Sequence, residues 1–405
     1  MLKNSAWLIL ISATIQIWLC TYALKLNWAA WMPILFCFNG LFITISLIKQ
    51  QPLKVELKFS SLISPWKLGL LLVCMLFSFQ LARIIFDNTP VAIEHADMLP
   101  IINVMCSRFL NGNWQQIYSP IPEIWNGIQP IYQPAMWLPF VLPQIFHFDL
   151  RWITVGGVWV SVILNFWNIT SLRNMSVWVV LTVLAILLWW LHTEERNNLF
   201  RLTEEGVVIA YYVMLAYAIV YRKPILLGFA VVVCLLSRYV IIAAIPAIVI
   251  WWITQKEWKI LLYTGITIII GSTLTLVFFG FTPFQQMFHI PATYVQHATN
   301  VWNGHPEYFT YTPGMAALFG KNNIGLQHQI LLFASFGLPI LFVLWLILFN
   351  QKFRFANVEL AIVTLTITTF YCLIDVPYLY LFYTPAFWYL SISVLSLTTM
   401  ENSPK

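Results

Sequence analysis

The chain has 405 residues, of which 21 are Lys or Arg and 15 are Asp or Glu, so only 9% are charged. Hydrophobic residues make up 60% and aromatic residues 17%, more apolar surface than a soluble domain can hide at the surface-to-volume ratio of a compact fold. This composition excludes an ordinary soluble enzyme, a disordered chain and a disulfide-stapled secreted module, and points to a multi-pass membrane protein. The net charge of +6 does not imply a nucleic-acid partner, because Lys and Arg in a membrane protein mostly record topology.

In chain order, continuous apolar runs predict membrane helices at 6–24, 29–48, 66–86, 131–147, 151–168, 176–192, 204–221, 224–236, 240–254, 258–281, 327–349, 356–374 and 377–398. Membrane strands would alternate apolar and polar residues instead. The first run is not read as a cleavable leader, since no small-x-small site follows it. Five of the six cysteines lie inside these runs, without metal or framework spacing, and read as small buried hydrophobes.

The segment 49–67 carries Lys49, Lys54, Lys58 and Lys67 against Glu56, which predicts a cytoplasmic location. Arg222–Lys223, Lys256/Lys259 and Lys352/Arg354 mark further cytoplasmic turns. Two large outer loops follow, a first at 87–130 and a second at 282–326. The expected fold is all-α: one integral membrane domain over 1–405, a helical bundle of about 12 crossings with both termini in the cytoplasm. Four runs lie between the first outer loop and Arg222, where an odd number of crossings is required. The run 176–192 is taken as the re-entrant one. This places His95, His192, His289, His297, His305 and His328 at the outer face and His147 near the inner face.

Titratable groups at the outer face are the candidates for chemistry. Glu94-His95-Ala96-Asp97 opens the first loop, where a carboxylate near lipid is suited to act as a general base. An amphipathic helix is expected next, closed by Asn111-Gly112. Pro134, Pro139 and Pro143 enter the following run and free backbone carbonyls, beside Tyr132 and Gln133 at the interface. Arg238 lies between two short runs; arginine at that depth is costly, and its guanidinium fork matches phosphate oxygens. Arg196, with Asn197 and Asn198, offers similar chemistry, although Glu194, Glu195, Glu204 and Glu205 are equally placed to pair with it. In the second loop, His297 and His305 interleave with aromatics, a pattern suited to carbohydrate, and their spacing matches no zinc motif. Nucleotide loops, dinucleotide fingerprints and nucleophile elbows are absent from the sequence.

Taken together, Asp97, Gly112, Tyr118, Tyr132-Gln133-Pro134 and Pro139, then Asn197 or Asn198, Arg222–Lys223, Gly228 and Arg238, make a pattern that resembles the GT-C fold glycosyltransferases. Within them it is most similar to the polyprenol-phosphate-mannose-dependent mannosyltransferases of glycosyltransferase family eighty-seven. The resemblance covers about residues 66–255. Met98 stands where an aromatic is usual, no Gln heads the 194–198 turn, and Arg238 replaces a common Lys. The resemblance implies an inverting hexosyl transfer from a polyprenyl-phosphate-linked sugar to a glycan or glycolipid acceptor at the outer face of a bacterial inner membrane, with no metal or cofactor. It implies that Asp97 deprotonates the acceptor, that Arg238 and Arg196 bind the donor phosphate, and that Glu94, His95, Tyr132, Gln133, Asn197, Asn198, His297 and His305 shape the sugar and acceptor sites. A lipid-linked saccharide flippase, or an oligosaccharide ligase or polymerase, remain the competing readings.

Overall fold

The computed structural model describes residues 2–22, 31–53, 65–124, 127–167, 175–193, 199–349 and 355–401. Among these, all regular structure is helical, apart from one isolated bridge between Ile121 and Ile128. In order the helices are α1 (Leu2–Tyr22), α2 (Trp31–Lys49), α3 (Pro65–Asn88), α4 (Met98–Leu110), α5 (Pro134–Trp137), α6 (Val141–Phe146), α7 (Arg151–Trp167), α8 (Met175–Thr193), α9 (Leu199–Leu202), α10 (Glu205–Tyr221), α11 (Pro224–Leu235), α12 (Ile241–Thr254), α13 (Trp258–Phe279), α14 (Thr282–Gly304), α15 (Glu307–Thr310), α16 (Ala316–Phe319), α17 (Ile324–Phe349), α18 (Val358–Leu373) and α19 (Tyr383–Glu401). Five spans are long and apolar enough to cross a membrane: Trp31–Lys49, Leu68–Asn88, Trp258–Phe279, Lys321–Phe349 and Leu379–Thr398. This is the build of an α-helical membrane protein.

The helices sort by polarity in the reverse of a soluble protein. The Leu379–Thr398 span is 100% buried, whereas the Leu68–Asn88 and Trp258–Phe279 spans are each 17% buried. The buried helices α18 and α19 are rich in Ser and Thr, and their hydroxyls donate to carbonyls one turn back. Thr364 reaches Leu360 O at 2.7 Å, Thr368 reaches Thr364 O at 2.7 Å and Ser391 reaches Phe387 O at 2.9 Å. Such bonds satisfy a hydroxyl inside the helix that carries it, and the small side chains let neighbouring backbones approach. The outer helices α3 and α13 instead present exposed Leu, Ile, Val and Phe, suited to lipid.

Cross-chain bonds give each helix its direction. At one end of the bundle Arg222 pairs with Glu257 at 2.8 Å and approaches Glu359 at 3.7 Å, and Leu53 N–H donates to Asn357 Oδ1 at 2.8 Å. This is the basic end. At the opposite end the first turns of α7 and α10 meet through Thr154 and the Thr203 carbonyl. Their last turns meet where Tyr217 OH donates to Asn165 Oδ1 at 3.0 Å, so the two helices run parallel. A Cβ on Gly206 would collide with the Thr154 carbonyl, and one on Gly157 with the Gly206 carbonyl. Gly206→Ala is therefore expected to force α7 and α10 apart and cost about 1–3 kcal/mol, read as a lower unfolding temperature in detergent.

The run 131–147 departs from expectation. Pro134, Pro139 and Pro143 divide it into α5, a 3-10 turn at Leu138–Phe140 and α6, because each proline removes a helical donor and crowds the preceding turn. Its start docks on the α11 end, with Ala135 N–H donating to Leu236 O at 2.9 Å. Its end lies on the loop helix α4, with Gln144 Nε2 donating to Asn103 Oδ1 at 2.7 Å. Directly after it, Arg151 donates to Thr89 O at 2.5 Å and Phe86 O at 3.2 Å, at the end of α3, and pairs with Asp149 at 2.6 Å. Both ends of 131–147 thus lie at the end of the bundle where α3 finishes. The run 176–192, expected to be the re-entrant one, forms the continuous helix α8, and it is 131–147 that begins and ends at one end of the bundle. His147 is corrected in consequence: it lies at the end opposite Arg222.

The loop at 87–130 holds α4, closed by Asn111 and by Gly112 at φ 74° as expected. The loop at 282–326 is largely helical, its main part being α14. Tyr294, Ala298, Val301 and Trp302 recur at helical spacing and cluster with Phe309 and Val376.

Candidate functional site

The end opposite the basic turns gathers the buried carboxylates Glu204, Glu205 and Asp375 with Arg238 and His328. Its centre is the turn between α11 and α12. Helix α13 packs beside α11 through Gly271 and Val232, then continues to Phe279 while α11 stops at Leu235. The α11–α12 turn is thus recessed, and it carries Arg238. The backbone there is fixed: Arg238 N–H donates to Cys234 O at 2.9 Å, and its carbonyl accepts from Tyr212 OH at 2.8 Å.

The guanidinium meets two carboxylates. Nη2 and Nε donate to Glu205 Oε2 at 2.5 and 3.2 Å, and Nη2 lies 3.5 Å from Glu204 Oε1. Glu205 Oε1 also accepts from Thr384 Oγ1 at 2.7 Å. Glu205 opens α10, where the positive end of the helix dipole favours an acid. Both carboxylates are buried, at 0% and 1% side-chain exposure, while 25% of the Arg238 side chain stays open. Glu204 Oε2 has no hydrogen-bond partner among the described residues. The cluster therefore sets one cation against two anions, and the second anion is incompletely paired. Burial pushes Glu204, in the turn before α10, up to about 7; Arg238 pulls against this, and Glu205 and Asp97 add to it.

Asp97 stands at the N-cap of α4 but makes no side-chain capping bond. Its charge reaches Tyr132, Glu204, Tyr378 and His297 across the site. Tyr132 is raised by burial first, then by Glu204 and Asp97, and Arg238 opposes them. Tyr132 thus lies within electrostatic reach of both Asp97 and Arg238.

Below Tyr132 and Arg238 opens a cavity of about 120 Å³. Apolar side chains such as Met136, Leu331, Phe370 and Leu381 form most of its wall. Its polar lining includes Gln133, Tyr239, Tyr294 and a buried pair, His328 Nδ1 to Asp375 Oδ2 at 2.7 Å. Asp375 holds the Nδ1–H form of the ring, which leaves Nε2 for a ligand; Asp375 Oδ1 has no partner among the described residues. The arrangement suits a molecule with an apolar body and a polar head. No three acidic, His or Cys side chains among the described residues converge as a metal site.

Comparison with family models, with curated proteins and with solved structures finds no match to this chain. The site therefore stands on its own geometry.

Of the residues expected from sequence, the structure brings Asp97, Tyr132, Gln133, Arg238 and His297 to this end. Gln133 is buried and donates to Pro283 O at 3.2 Å, tying the segment 131–147 to α14. His297 is exposed, with its ring 5.5 Å from that of Tyr294. Glu94 and His95 are exposed in the turn before α4 and make no side-chain bond to the cluster among the described residues. His305 is turned away to Glu307 at 3.0 Å, both side chains more than half exposed. Arg196, Asn197 and Asn198 lie outside the described residues. The partner of Glu204 and Glu205 is Arg238, where the sequence reading had set them near Arg196. His192 is structural: its Nδ1–H faces Leu188 O at 2.7 Å and its Nε2 accepts from Ser78 at 2.9 Å, which itself accepts from Trp159 Nε1 at 2.9 Å.

Sequence reasoning missed Asp375 and the role of His328. The signal was present, since Asp375 is the sole charged residue between Glu359 and Glu401, and an isolated ionisable group in an apolar stretch is a functional candidate by default.

Proposed function

We propose that the chain is a multi-pass membrane glycosyltransferase. It moves a hexose such as mannose from a polyprenyl-phosphate donor to a glycan or glycolipid acceptor, with inversion. The observation that carries this reading is that a half-buried carboxylate, Asp97, and a partly open guanidinium, Arg238, both lie within electrostatic reach of Tyr132, which with Arg238 lines a largely apolar cavity at one end of the bundle. Asp97 takes the proton from the acceptor hydroxyl as it attacks the anomeric carbon. Arg238 steadies the leaving phosphate with the part of its fork that Glu205 leaves open. His328 offers Nε2 to the same cavity. Tyr132, Gln133 and His297 border the sugar, while the lipid tail lies against exposed apolar helices. Arg196, Asn197 and Asn198 are retained as donor-side and sugar-side candidates on the resemblance, and Glu94, His95 and His305 as acceptor-side candidates. The reaction needs no metal, nucleotide or nucleic acid.

In this reading α1–α3, α7, α8, α10–α13 and α17–α19 make twelve crossings of a bacterial inner membrane. The basic end is cytoplasmic and the site is periplasmic, as the excess of Lys and Arg at one end favours. In a cysteine-free background, cysteine at position 147 is expected to react with an impermeant maleimide from the same side as cysteine at 305, and cysteine at 222 from the other. Labelling of 147 and 222 from one side would return 131–147 to the crossing helices. A flippase would need groups spread through the membrane depth, whereas these collect at one end.

The direct test is reconstitution with a radiolabelled polyprenyl-phosphate hexose. Transfer to an endogenous glycolipid extract supports the reading. Movement of the labelled lipid across the bilayer without transfer would replace it with the flippase.

A further inference from the structure

We infer that an anion binds beside Arg238 only when Glu204 carries a proton, so that the site takes up about one proton with each phosphodiester it receives. The inference rests on the reading above and concerns how the same site accepts its donor.

The groups that face Glu204 come from five segments: Arg238 from the α11–α12 turn, Glu205 on α10, Asp97 before α4, Tyr132 before α5 and Tyr380 before α19. Among the described residues of this cluster, one cation stands with three carboxylates. Arg238 already spends Nε and Nη2 on Glu205. A phosphate oxygen brought to the open part of the guanidinium would add a further negative charge to a cluster already short of positive charge. Like charges crowded in a poorly solvated site resist joint ionisation, and one of them takes a proton.

Glu204 is the group placed to take it. Its Oε2 is buried and lacks a donor among the described residues, and its Oε1 makes the longer contact to Arg238 at 3.5 Å. Protonation removes one charge, turns the orphaned oxygen into a donor for the incoming anion and releases Arg238 toward it. Glu205 is unsuited to the task, because Arg238 and Thr384 hold both of its oxygens. Burial already brings Glu204 to about 7, so near neutral pH the proton is available at little cost. The sign follows: Glu204 is ionised above that value, so anion affinity falls as pH rises through it and levels off below it. The slope reaches about tenfold per pH unit when one proton is taken up.

The test is calorimetric titration of the purified full-length protein in detergent with farnesyl methyl phosphate. This phosphodiester carries one constant negative charge across the neutral range, so it does not titrate with the protein. Measurement near pH 8 in two buffers of different ionisation heat counts the protons taken up. Wild type is expected to take up about one. Glu204→Gln, which keeps the shape and removes an incompletely paired buried charge, is expected to take up none and to bind with the affinity that wild type reaches near pH 6. Binding by wild type without proton uptake would overturn the inference. Uptake unchanged in Glu204→Gln would also overturn it, by assigning the proton to another group. Both results leave the transferase reading standing. Failure of wild type to bind the probe at any pH from about 6 to 9 would sink the inference and the transferase reading together.

Discussion

Asp97→Asn is expected to lower kcat/KM for hexosyl transfer by about 10²- to 10⁴-fold, the range lost with a positioned general base, while leaving the fold intact. Asp97 sits at the N-cap of α4 yet makes no side-chain capping bond there, so the amide forfeits no cap. The side chain is half-buried, and the α4 backbone bond from Ile101 N–H to Asp97 O at 2.9 Å does not involve it. The amide keeps size and polarity and loses the ability to accept a proton. Its measurable signature is a fall in kcat with little change in donor affinity, because Asp97 acts on the acceptor while Arg238 holds the donor. Full activity in Asp97→Asn would end the assignment of Asp97 as base and direct attention to Glu204, the next carboxylate in the cluster.

Arg238→Ala is expected to be the most destabilising of the substitutions proposed, at about 3–5 kcal/mol, because it leaves buried carboxylates without their counter-ion. Glu205 at 0% and Glu204 at 1% exposure have no route to water in place. The loss should appear as a lower unfolding temperature in detergent, together with loss of phosphodiester binding. Adding Glu204→Gln and Glu205→Gln to Arg238→Ala should recover most of the stability, since the penalty comes from uncompensated charge and not from the missing side chain. Binding should stay lost in the triple variant, which separates the two roles of the arginine. A triple variant as unstable as Arg238→Ala would show that the guanidinium contributes mainly by packing.

Much of the helical layout was legible because its cause is local. Runs of Leu, Ile, Val and Phe show themselves one after another, and the helix ends fall close to them: α10 and α11 meet at Arg222–Lys223, and α4 ends at Asn111–Gly112. The run 131–147 misled because apolarity alone does not distinguish a crossing helix from a proline-broken segment held at one end. What decided it was Arg151, whose bonds reach back to Thr89 and Phe86. Nothing in the spacing of residues 86 and 151 announces that contact.

The site divides along the same line. Asp97, Tyr132 and Arg238 stood out because ionisable or tyrosyl groups beside apolar runs are rare and costly, and costly groups are few enough to examine one by one. Glu204 and Glu205 were visible too, but a carboxylate's partner is a matter of distance. Sequence order sets them near Arg196, whereas the antiparallel return of α11 along α10 brings Arg238 to them. Asp375 and His328 are 47 positions apart and become a pair only where α17 and α18 run antiparallel with their ends at the same level.

The charge count of the whole chain, 36 charges in 405 residues from 21 basic and 15 acidic, thus carries two kinds of information. By itself the sequence determined that this is an all-helical chain built for an apolar surround, that basic residues cluster at particular turns, and which few ionisable residues are too expensive to be idle. Composition and local pattern carry that information because burial of charge is costly wherever it occurs. Only the tertiary structure decided which apolar run begins and ends at one end of the bundle, which carboxylates share Arg238 and which of them is left short of a partner. Those outcomes depend on helix direction and on ångström-scale approach between residues far apart in the chain, and Coulomb and hydrogen-bond energies act over just those distances.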